Sequence, residues 1–214
     1  MSVEAEKEAA ATAAAELVED GMTVGLGSGS TVARLVPALA ARRLAVRCVA
    51  ASPSTAQAAR AVGLEVLEFS TAIDHLDLAI DGADQVTPDG WLVKGGGAAH
   101  TREKVVAAAA ARFVVIVDST KLVDALHPPI PLELLEFGLG ATLAHVAPTT
   151  VRDVPRSPDG GLIADYTGPI DDPATLAARL AATPGVVEHG LFPAEMVDVV
   201  LIGRGSSVEE RTLR

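Results

Sequence analysis

The chain has 214 residues, of which 49% are hydrophobic, 21% charged and only 3% aromatic. This composition is typical of a soluble globular protein, and the length allows one large domain or a medium domain with a small one. The formal net charge of −11 argues against nucleic acid or an anionic membrane as a partner, because both require a basic surface.

The cysteine content and the N-terminus bear on the compartment. Cys48 is the single cysteine, which rules out an internal disulfide and favours a reducing environment. It lies in an apolar run and is interpreted as a buried strand thiol rather than a nucleophile. Residues 1–10 lack the apolar core of a secretory signal, and no long uncharged apolar run predicts a membrane span. We therefore expect a cytoplasmic protein.

The first 126 residues alternate between helical and strand patterns. Helices are predicted over residues 4–19, from the Gly-rich segment 27–31 to Arg43 with Pro37 inside, from Ser52-Pro53 to Gly63, and over residues 101–111. Strands are predicted over residues 22–26, 46–50, 64–69, 76–80 and 113–117, with a hairpin turn at 87–90 before 91–93. This alternation indicates an α/β fold with a doubly wound sheet.

The pattern changes after Leu126. The proline-rich segment 127–131 is interpreted as a linker or domain boundary, and a helix is predicted around Leu134–His145. Strands over residues 149–154 and 162–166 flank a turn at 159–161. A helix over residues 172–182 and strands over 186–191 and 197–202 follow. This order suggests a small α+β domain.

The first candidate site is the segment Gly25-Leu26-Gly27-Ser28-Gly29-Ser30-Thr31. A strand, a glycine turn and a helix N-terminus together direct several backbone N–H groups at one point, which suits a phosphate. The segment is neither a Walker A loop nor a complete GxGxxG dinucleotide motif. A tight strand-to-helix turn capped by serine is the alternative interpretation.

Two further polar segments follow predicted strands. In Asp81-Gly82-Ala83-Asp84, two carboxylates can converge on sugar hydroxyls or transfer protons, or the segment is an Asx turn that opens a hairpin. In Lys94-Gly95-Gly96-Gly97, an ammonium group and N–H groups make a candidate oxyanion site. Glu103 is either a base or an ordinary carboxylate in a first helical turn, and Lys121 is either a phosphate ligand or a surface lysine.

Since ligands bind at the carboxyl edge of an open α/β sheet, these segments together suit proton transfer next to a carbonyl on a phosphorylated substrate. The five histidines show no paired metal-ligand spacing, and no GxSxG motif indicates a catalytic triad. We therefore expect no metal.

The segments GLGSGST (25–31), DLAIDGAD (77–84) and KGGGAAHTREK (94–104) closely resemble the A-type ribose-5-phosphate isomerase family. The resemblance extends through VIVDSTK (115–121), residues 131–133, 184–188, 190–192 and 197–203, and so covers nearly the whole chain. It implies a Rossmann-like catalytic domain over residues 1–126, closed by 203–214. It also implies a small α+β domain over 127–202 flanking the active-site cleft, homodimers or homotetramers, and no cofactor.

The resemblance also implies a role for each site residue in interconverting D-ribose 5-phosphate and D-ribulose 5-phosphate, a reaction of the non-oxidative pentose phosphate pathway. Glu103 would be the base of a cis-enediol route, and Lys94 with the N–H groups of Gly95, Gly96 and Gly97 would stabilise the enediolate. Asp81 and Asp84 would hold the sugar hydroxyls along the segment that includes Gly82 and Ala83, with Asp81 assisting ring opening. The phosphate would lie against Ser28, Gly29, Ser30, Thr31 and Lys121, with Lys7 contributing from the first helix.

Other functions remain open from the residues. A sugar-phosphate sensor would keep the phosphate loop without needing Asp81, Lys94 and Glu103 together. An amino-sugar phosphate deaminase or a CoA transferase would use a similar sheet, and a scaffold would leave three Gly-rich loops unexplained. The sequence departs from the family at Gln85, where an acidic residue is common, at Pro37 inside a helix, and around Phe137-Gly138.

Overall fold

The computed structural model describes residues 2–214. In this range there are six α-helices: α1 Val3–Glu16, α2 Gly29–Ala41, α3 Pro53–Ala61, α4 His100–Ala108, α5 Leu139–His145 and α6 Pro173–Ala181. The same range contains fourteen strands: β1 Thr23–Leu26, β2 Arg47–Ala50, β3 Glu65–Leu67, β4 Leu78–Asp81, β5 Gln85–Val86, β6 Leu92–Val93, β7 Phe113–Asp118, β8 Ile130–Leu134, β9 Thr149–Val151, β10 Leu162–Tyr166, β11 Val186–His189, β12 Leu191–Phe192, β13 Val199–Arg204 and β14 Ser207–Thr212. Short 3₁₀ turns cover Ser119–Lys121 and Ala194–Met196.

These elements form two compact units. The first comprises the described residues up to Ala83 together with Arg102–Lys121 and Glu195–Arg214, and the second comprises Asp84–Thr101 and Leu122–Ala194. This grouping by contacts is a different division from the predicted domains, 1–126 with 203–214 and 127–202, whose ranges stay a prediction. In the described part of the chain, no helix combines the length and the apolar character that crossing a membrane requires.

The first unit contains a seven-stranded sheet in the order β14-β13-β7-β4-β1-β2-β3. All neighbouring strands are parallel except β13 and β14, which form an antiparallel hairpin at the edge. From β1 the chain winds outward through β2 and β3, then returns to β4 and winds the other way. This reversal between β1 and β4 defines a doubly wound, Rossmann-like sheet and confirms the predicted fold class.

Small apolar side chains build the core of the first unit. In α1 the four alanines Ala10, Ala11, Ala14 and Ala15 are buried, as are the apolar residues of β1, β4 and β7. Gly203 in β13 lies so close to α1 that an added Cβ would be 2.0 Å from the Glu6 carbonyl oxygen. In place of aromatic side chains, this core therefore uses small residues that let a helix pack closely on the sheet.

The second unit contains a four-stranded antiparallel sheet in the order β11-β8-β10-β9 and a three-stranded sheet in the order β12-β6-β5. Its core includes Ile130, Leu132 and Leu134 of β8, with Leu176 and Leu180 of α6. The predicted hairpin across residues 87–90 is confirmed, since β5 and β6 pair antiparallel.

One predicted element is wrong, and one strand has no counterpart among the predicted elements. Residues 130–134 form the central strand β8, and a helix begins only at Leu139, whereas a helix was predicted around Leu134–His145. Gly138 has a positive φ of 72° immediately before α5, which separates the strand from the helix. Strand β14 has no counterpart among the predicted strands, because its sequence SVEERT is polar and only one of its edges pairs, with β13.

Candidate active site

The loop between β1 and α2 forms an anion-binding geometry. Ser28 is the N-cap residue of α2, and Gly29 adopts a positive φ of 87°. The first N–H groups of a helix have no partner within the helix, and the helix dipole favours negative charge beside them. Ser30 is exposed, and the Thr31 side chain is buried at the start of the helix. The arrangement can hold a phosphate through backbone and hydroxyl donors.

Asp81 ends β4, the strand beside β1, where the winding of the sheet reverses. One oxygen of its carboxylate, Oδ1, accepts hydrogen bonds from the N–H groups of Ser28, at 3.0 Å, and Gly82, at 2.7 Å. The carboxylate packs against Gly27, where an added Cβ would lie 1.8 Å from its carbon atom. With a relative exposure of 3%, Asp81 is a buried and firmly oriented carboxylate.

Glu103 lies in the first turn of α4 and joins the same cluster. Its Oε1 accepts a hydrogen bond from the Ser28 hydroxyl at 2.5 Å. The residue is 5% exposed, so it is not an ordinary surface carboxylate of a helix. Ser28 thus contacts both predicted acids, Asp81 through its backbone N–H and Glu103 through its hydroxyl.

The two predicted phosphate lysines lie on neighbouring segments. Lys121 ends the 3₁₀ turn that follows β7. The Ser119 amide and hydroxyl of that turn donate to the carboxylate of Glu6, the residue before Lys7, at 2.9 and 2.7 Å. The Lys7 ammonium group lies 3.0 Å from Glu4. Part of its charge is therefore already offset within the first helix.

In the second unit, Asp84 and the glycine segment 94–97 are hydrogen-bonded to each other. The N–H of Gly96 donates to Asp84 Oδ2 at 2.8 Å. Gly95 has a positive φ of 109°, and an added Cβ there would lie 2.7 Å from both His100 Nδ1 and Pro131 Cβ. Only glycine fits this position.

Lys94 is held from two sides. Its N–H donates to the Gly190 carbonyl at 2.8 Å, and its ammonium group lies 5.5 Å from the centre of the Phe192 ring. The side chain is buried, with a relative exposure of 3%. A cation over an aromatic face is attracted by the ring quadrupole, so this contact helps to fix the direction of the Lys94 side chain.

Arg152 is a residue of this region that no sequence motif indicated. Its guanidinium binds both oxygens of Asp165 and also donates to the carbonyl oxygens of Gly95 and Gly96. Hydrogen bonds from Arg152 to Asp165 raise the pKa of the guanidinium, so it stays charged. Because Arg152 is more than fifty residues from the glycines it contacts, only the folded chain relates them.

Each unit therefore carries some of the groups that acid–base catalysis uses. The first unit carries a helix N-terminus suited to an anion and two oriented buried carboxylates. The second carries a further carboxylate, a buried ammonium group and a glycine segment with backbone donors. Such groups suit the removal and return of a proton next to a carbonyl, with stabilisation of the charge that develops on oxygen.

The chain matches two family models. The model described as ribose 5-phosphate isomerase A (phosphoriboisomerase A) matches residues 47–207. The model described as the DeoR C terminal sensor domain matches residues 2–70, a range that includes Ser28 but neither Lys94 nor Glu103.

Individual relatives cover almost the whole chain. The ribose-5-phosphate isomerase A of Caulobacter vibrioides (strain NA1000) is 45% identical over 224 aligned residues, which cover 97% of this chain and 98% of that protein. The solved ribose 5-phosphate isomerase A from Methanocaldococcus jannaschii has a TM-score of 0.91 at 33% identity, covering 99% of this chain and 100% of that chain. A D-ribose-5-phosphate isomerase solved in complex with phospho-erythronic acid has a TM-score of 0.93 at 33% identity, with the same coverage.

Proposed function

The chain belongs to the ribose 5-phosphate isomerase A family, and we propose that it interconverts D-ribose 5-phosphate and D-ribulose 5-phosphate with Glu103 as the base. Glu103 removes the proton from C2 of the open-chain aldose and returns it to C1 through a cis-enediolate, while the hydroxyl proton of O2 passes to O1. A single carboxylate on one face of the substrate can serve both carbons, because they are adjacent and the intermediate is planar.

The observation that carries this proposal is the contact of Ser28 with two carboxylates of the first unit, those of Asp81 and Glu103. The hydroxyl fixes one oxygen of Glu103, and the backbone N–H fixes one oxygen of Asp81. Both carboxylates are thereby oriented beside the helix N-terminus suited to the phosphate. A binding protein would need the helix N-terminus, but it would have no use for a buried carboxylate held in this way.

The remaining predicted residues take the roles that the family implies. The phosphate binds at Ser28, Gly29, Ser30 and Thr31, with Lys121 and Lys7 supplying positive charge. Asp81 assists ring opening, and Asp84 holds the sugar hydroxyls along Gly82 and Ala83. Lys94 and the N–H groups of Gly95 and Gly97 stabilise the enediolate oxygens as charge develops, which lowers the barrier to removing a weakly acidic proton. The N–H of Gly96, which donates to Asp84, orients that carboxylate.

We further propose that the chain binds phospho-erythronic acid, the compound held by one solved relative. The two oxygens of its carboxylate resemble the two oxygens of the cis-enediolate, while its phosphate resembles that of the substrate. A compound of this kind binds more tightly than the substrate when the protein is complementary to the intermediate. Its dissociation constant therefore measures how well the oxyanion donors are arranged.

The test is turnover of ribose 5-phosphate in chelator-treated buffer by the wild type, by Glu103→Gln and by the control Glu68→Gln, whose carboxylate is exposed. Loss of the base should lower kcat by about 10²–10⁴-fold. The affinity for inorganic phosphate should stay within about threefold, and the control should match the wild type. Tight binding of ribose 5-phosphate without turnover by the wild type would refute the isomerase and favour a sensor.

We also propose that the chain associates as a homodimer or homotetramer in the cytoplasm. The single thiol Cys48 is consistent with a reducing compartment. Support for association comes from an exposed apolar surface of the second unit, the Phe137 surface. Phe137 is 93% exposed and Leu135 is 51% exposed, beside a groove of about 290 Å³. The groove is lined by Leu135, Phe137, Gly138, Ala141, Thr142, His145, Pro184 and Gly185.

A further inference from the structure

Arg152 follows β9 in the second unit and is anchored to the neighbouring strand β10. Its backbone N–H donates to the Ile163 carbonyl at 2.8 Å, which extends the pairing of the two strands by one residue. Its Nε and Nη2 atoms each lie 2.7 Å from one oxygen of Asp165. Because this two-pronged pair fixes the plane of the guanidinium, the third nitrogen, Nη1, has a defined direction.

That third nitrogen contacts the glycine segment. Nη1 donates to the carbonyl oxygens of Gly95, at 3.0 Å, and Gly96, at 3.3 Å. The side chains of Arg152 and Asp165 are only 18% and 23% exposed, so solvent screens the pair incompletely. A single, partly buried fork therefore joins the antiparallel sheet to two consecutive peptide groups of the loop.

Because the peptide bond is planar, a contact that holds the carbonyl oxygen of a peptide also fixes the direction of its N–H group. The carbonyl of Gly95 and the N–H of Gly96 belong to one peptide and point in opposite directions. Arg152 holds the oxygen of that peptide, and Asp84 accepts its N–H at 2.8 Å, so a flip would break both contacts. In the next peptide, Arg152 holds the Gly96 oxygen, and the Gly97 N–H consequently points away from the guanidinium.

A glycine segment needs such a restraint. Without a Cβ, the peptides of Gly95, Gly96 and Gly97 can rotate more freely than those of any other residue. A donor stabilises an oxyanion well only if its direction is set before charge develops. The positive guanidinium also polarises the two peptides that it contacts, which strengthens their N–H groups as donors.

We propose that Arg152 is a positioning residue for the isomerisation: with Asp165 it fixes the peptide planes of the glycine segment. The Gly97 N–H thereby keeps the direction that the enediolate requires, and the Asp84 carboxylate keeps the direction that the sugar hydroxyls require. This role rests on the proposed function. Arg152 lies outside the three Gly-rich and acidic motifs. In this role it helps to stabilise the intermediate without contacting the substrate.

The experiment compares Arg152→Lys and Asp165→Asn with the control Arg156→Lys. Lysine keeps the charge but cannot form the fork, and asparagine removes the charge that aligns it. Arg156 lies on the same segment, where it pairs with Glu136 and donates to the Gly160 carbonyl. We expect kcat to fall by about 10–10²-fold in both test variants. KM for ribose 5-phosphate should change by less than about threefold, because the phosphate donors lie on other elements.

Binding separates positioning from a structural role. For the test variants, the dissociation constant of phospho-erythronic acid should rise in proportion to the loss of kcat/KM, whereas that of inorganic phosphate should not change. Unchanged kcat and unchanged phospho-erythronic acid binding, with only a lower Tm, would overturn the proposal, as would equal losses in the control. An inactive wild type would refute the proposed function instead, and Asp165→Asn keeps the proposal testable if Arg152→Lys does not fold.

Discussion

At the residue scale, the orientation of Asp81 depends on the absence of a side chain at Gly27. An added Cβ at that position would lie 1.8 Å from the Asp81 carboxyl carbon, a separation that forces the carboxylate to move. For Gly27→Ala we expect kcat to fall by about 10²-fold, because displacing a catalytic group by about 1 Å has an effect of that size. Steady-state turnover of ribose 5-phosphate measures it.

The matched control for this change is Gly140→Ala in α5. An added Cβ at Gly140 meets nothing within 4 Å, and its φ is not positive. Overpacking at Gly27 should also lower the free energy of unfolding by about 1–3 kcal/mol. A Gly27→Ala variant with wild-type kcat would show that the Asp81 carboxylate does not need its position against the loop.

The interpretation of Cys48 as a buried strand thiol is confirmed. The side chain is fully buried in β2, and burial raises the pKa of its thiol to about 11. At pH 8 the reactive thiolate should therefore be about 10⁻³ of the thiol. We expect native protein to react with a thiol reagent many-fold more slowly than protein unfolded in guanidinium chloride, measured by absorbance. Stoichiometric labelling of the native protein within seconds would contradict this.

At the element scale, most strands and helices of the first unit could be predicted, because apolar runs or helix-forming residues lie between clear turn residues. The polar edge strand β14 is the exception. The start of α3 is an example, since the Ser52 side chain caps the helix at Thr55 N–H, as its residue type predicts. The strand β8 could not, because Pro131 lies inside it and proline is unusual in a central strand.

At Gln85, where the resemblance predicts an acidic residue, the fold gives the side-chain amide a structural role. Its side-chain Nε2 donates to the His127 carbonyl at 2.7 Å, and its Oε1 accepts the His127 N–H at 2.9 Å. A carboxylate in this position could accept but not donate. The amide thus ties β5 to the segment before β8, which is a structural contact rather than a catalytic one.

The first helix provides a pH-dependent contribution to stability. Glu6 accepts hydrogen bonds from the Ser119 hydroxyl and N–H and from the Gly205 N–H, and these bonds lower the pKa of its carboxyl below 4.5. A carboxyl with a lowered folded-state pKa stabilises the fold above its unfolded pKa. That stability is lost as the pH falls through the folded pKa.

We therefore expect Glu6→Gln to lower Tm at pH 7, and the difference from the wild type to shrink as the pH falls below about 4.5. Thermal unfolding monitored by circular dichroism between pH 3 and pH 7 measures this. The control is Glu8→Gln, because Glu8 lies on the same helix as Glu6 and forms an exposed ion pair with Arg34 of α2. It should show a much smaller difference in Tm. A Glu6→Gln difference that is constant with pH would exclude the carboxylate as its source.

At the scale of the whole molecule, the candidate site could be predicted only where its residues lie in local motifs. Ser28 caps a helix, Asp81 ends a strand and Glu103 lies in the first turn of a helix. The alternation of the elements brings strand ends to one edge. The contacts of Arg152 with Gly95 and Asp165 depend on the register of β9 with β10. Register is a property of the assembled sheet, so no local pattern could indicate them.

Association of whole chains is predicted to depend on the Phe137 surface. Each copy carries a net charge of −11 and should repel another copy, unless contact is made through a region without excess charge. The Phe137 surface fits this need, because its groove contains no carboxylate and the nearby Glu136 is paired with Arg156 at 2.8 Å. An exposed aromatic ring beside an apolar groove can also be reciprocally buried by a two-fold axis.

We expect Phe137→Asp to weaken self-association by at least about 30-fold, the effect of losing an aromatic anchor worth about 2 kcal/mol. Light scattering after size exclusion over a dilution series should then show the mass falling to about 21.8 kDa at a concentration at least about 30-fold higher for the variant than for the wild type. Val62→Asp, at a position 44% exposed in the first unit, should keep the wild-type mass. An unchanged mass for Phe137→Asp would assign association to another surface, because an aspartate cannot remain buried against an apolar groove without a partner.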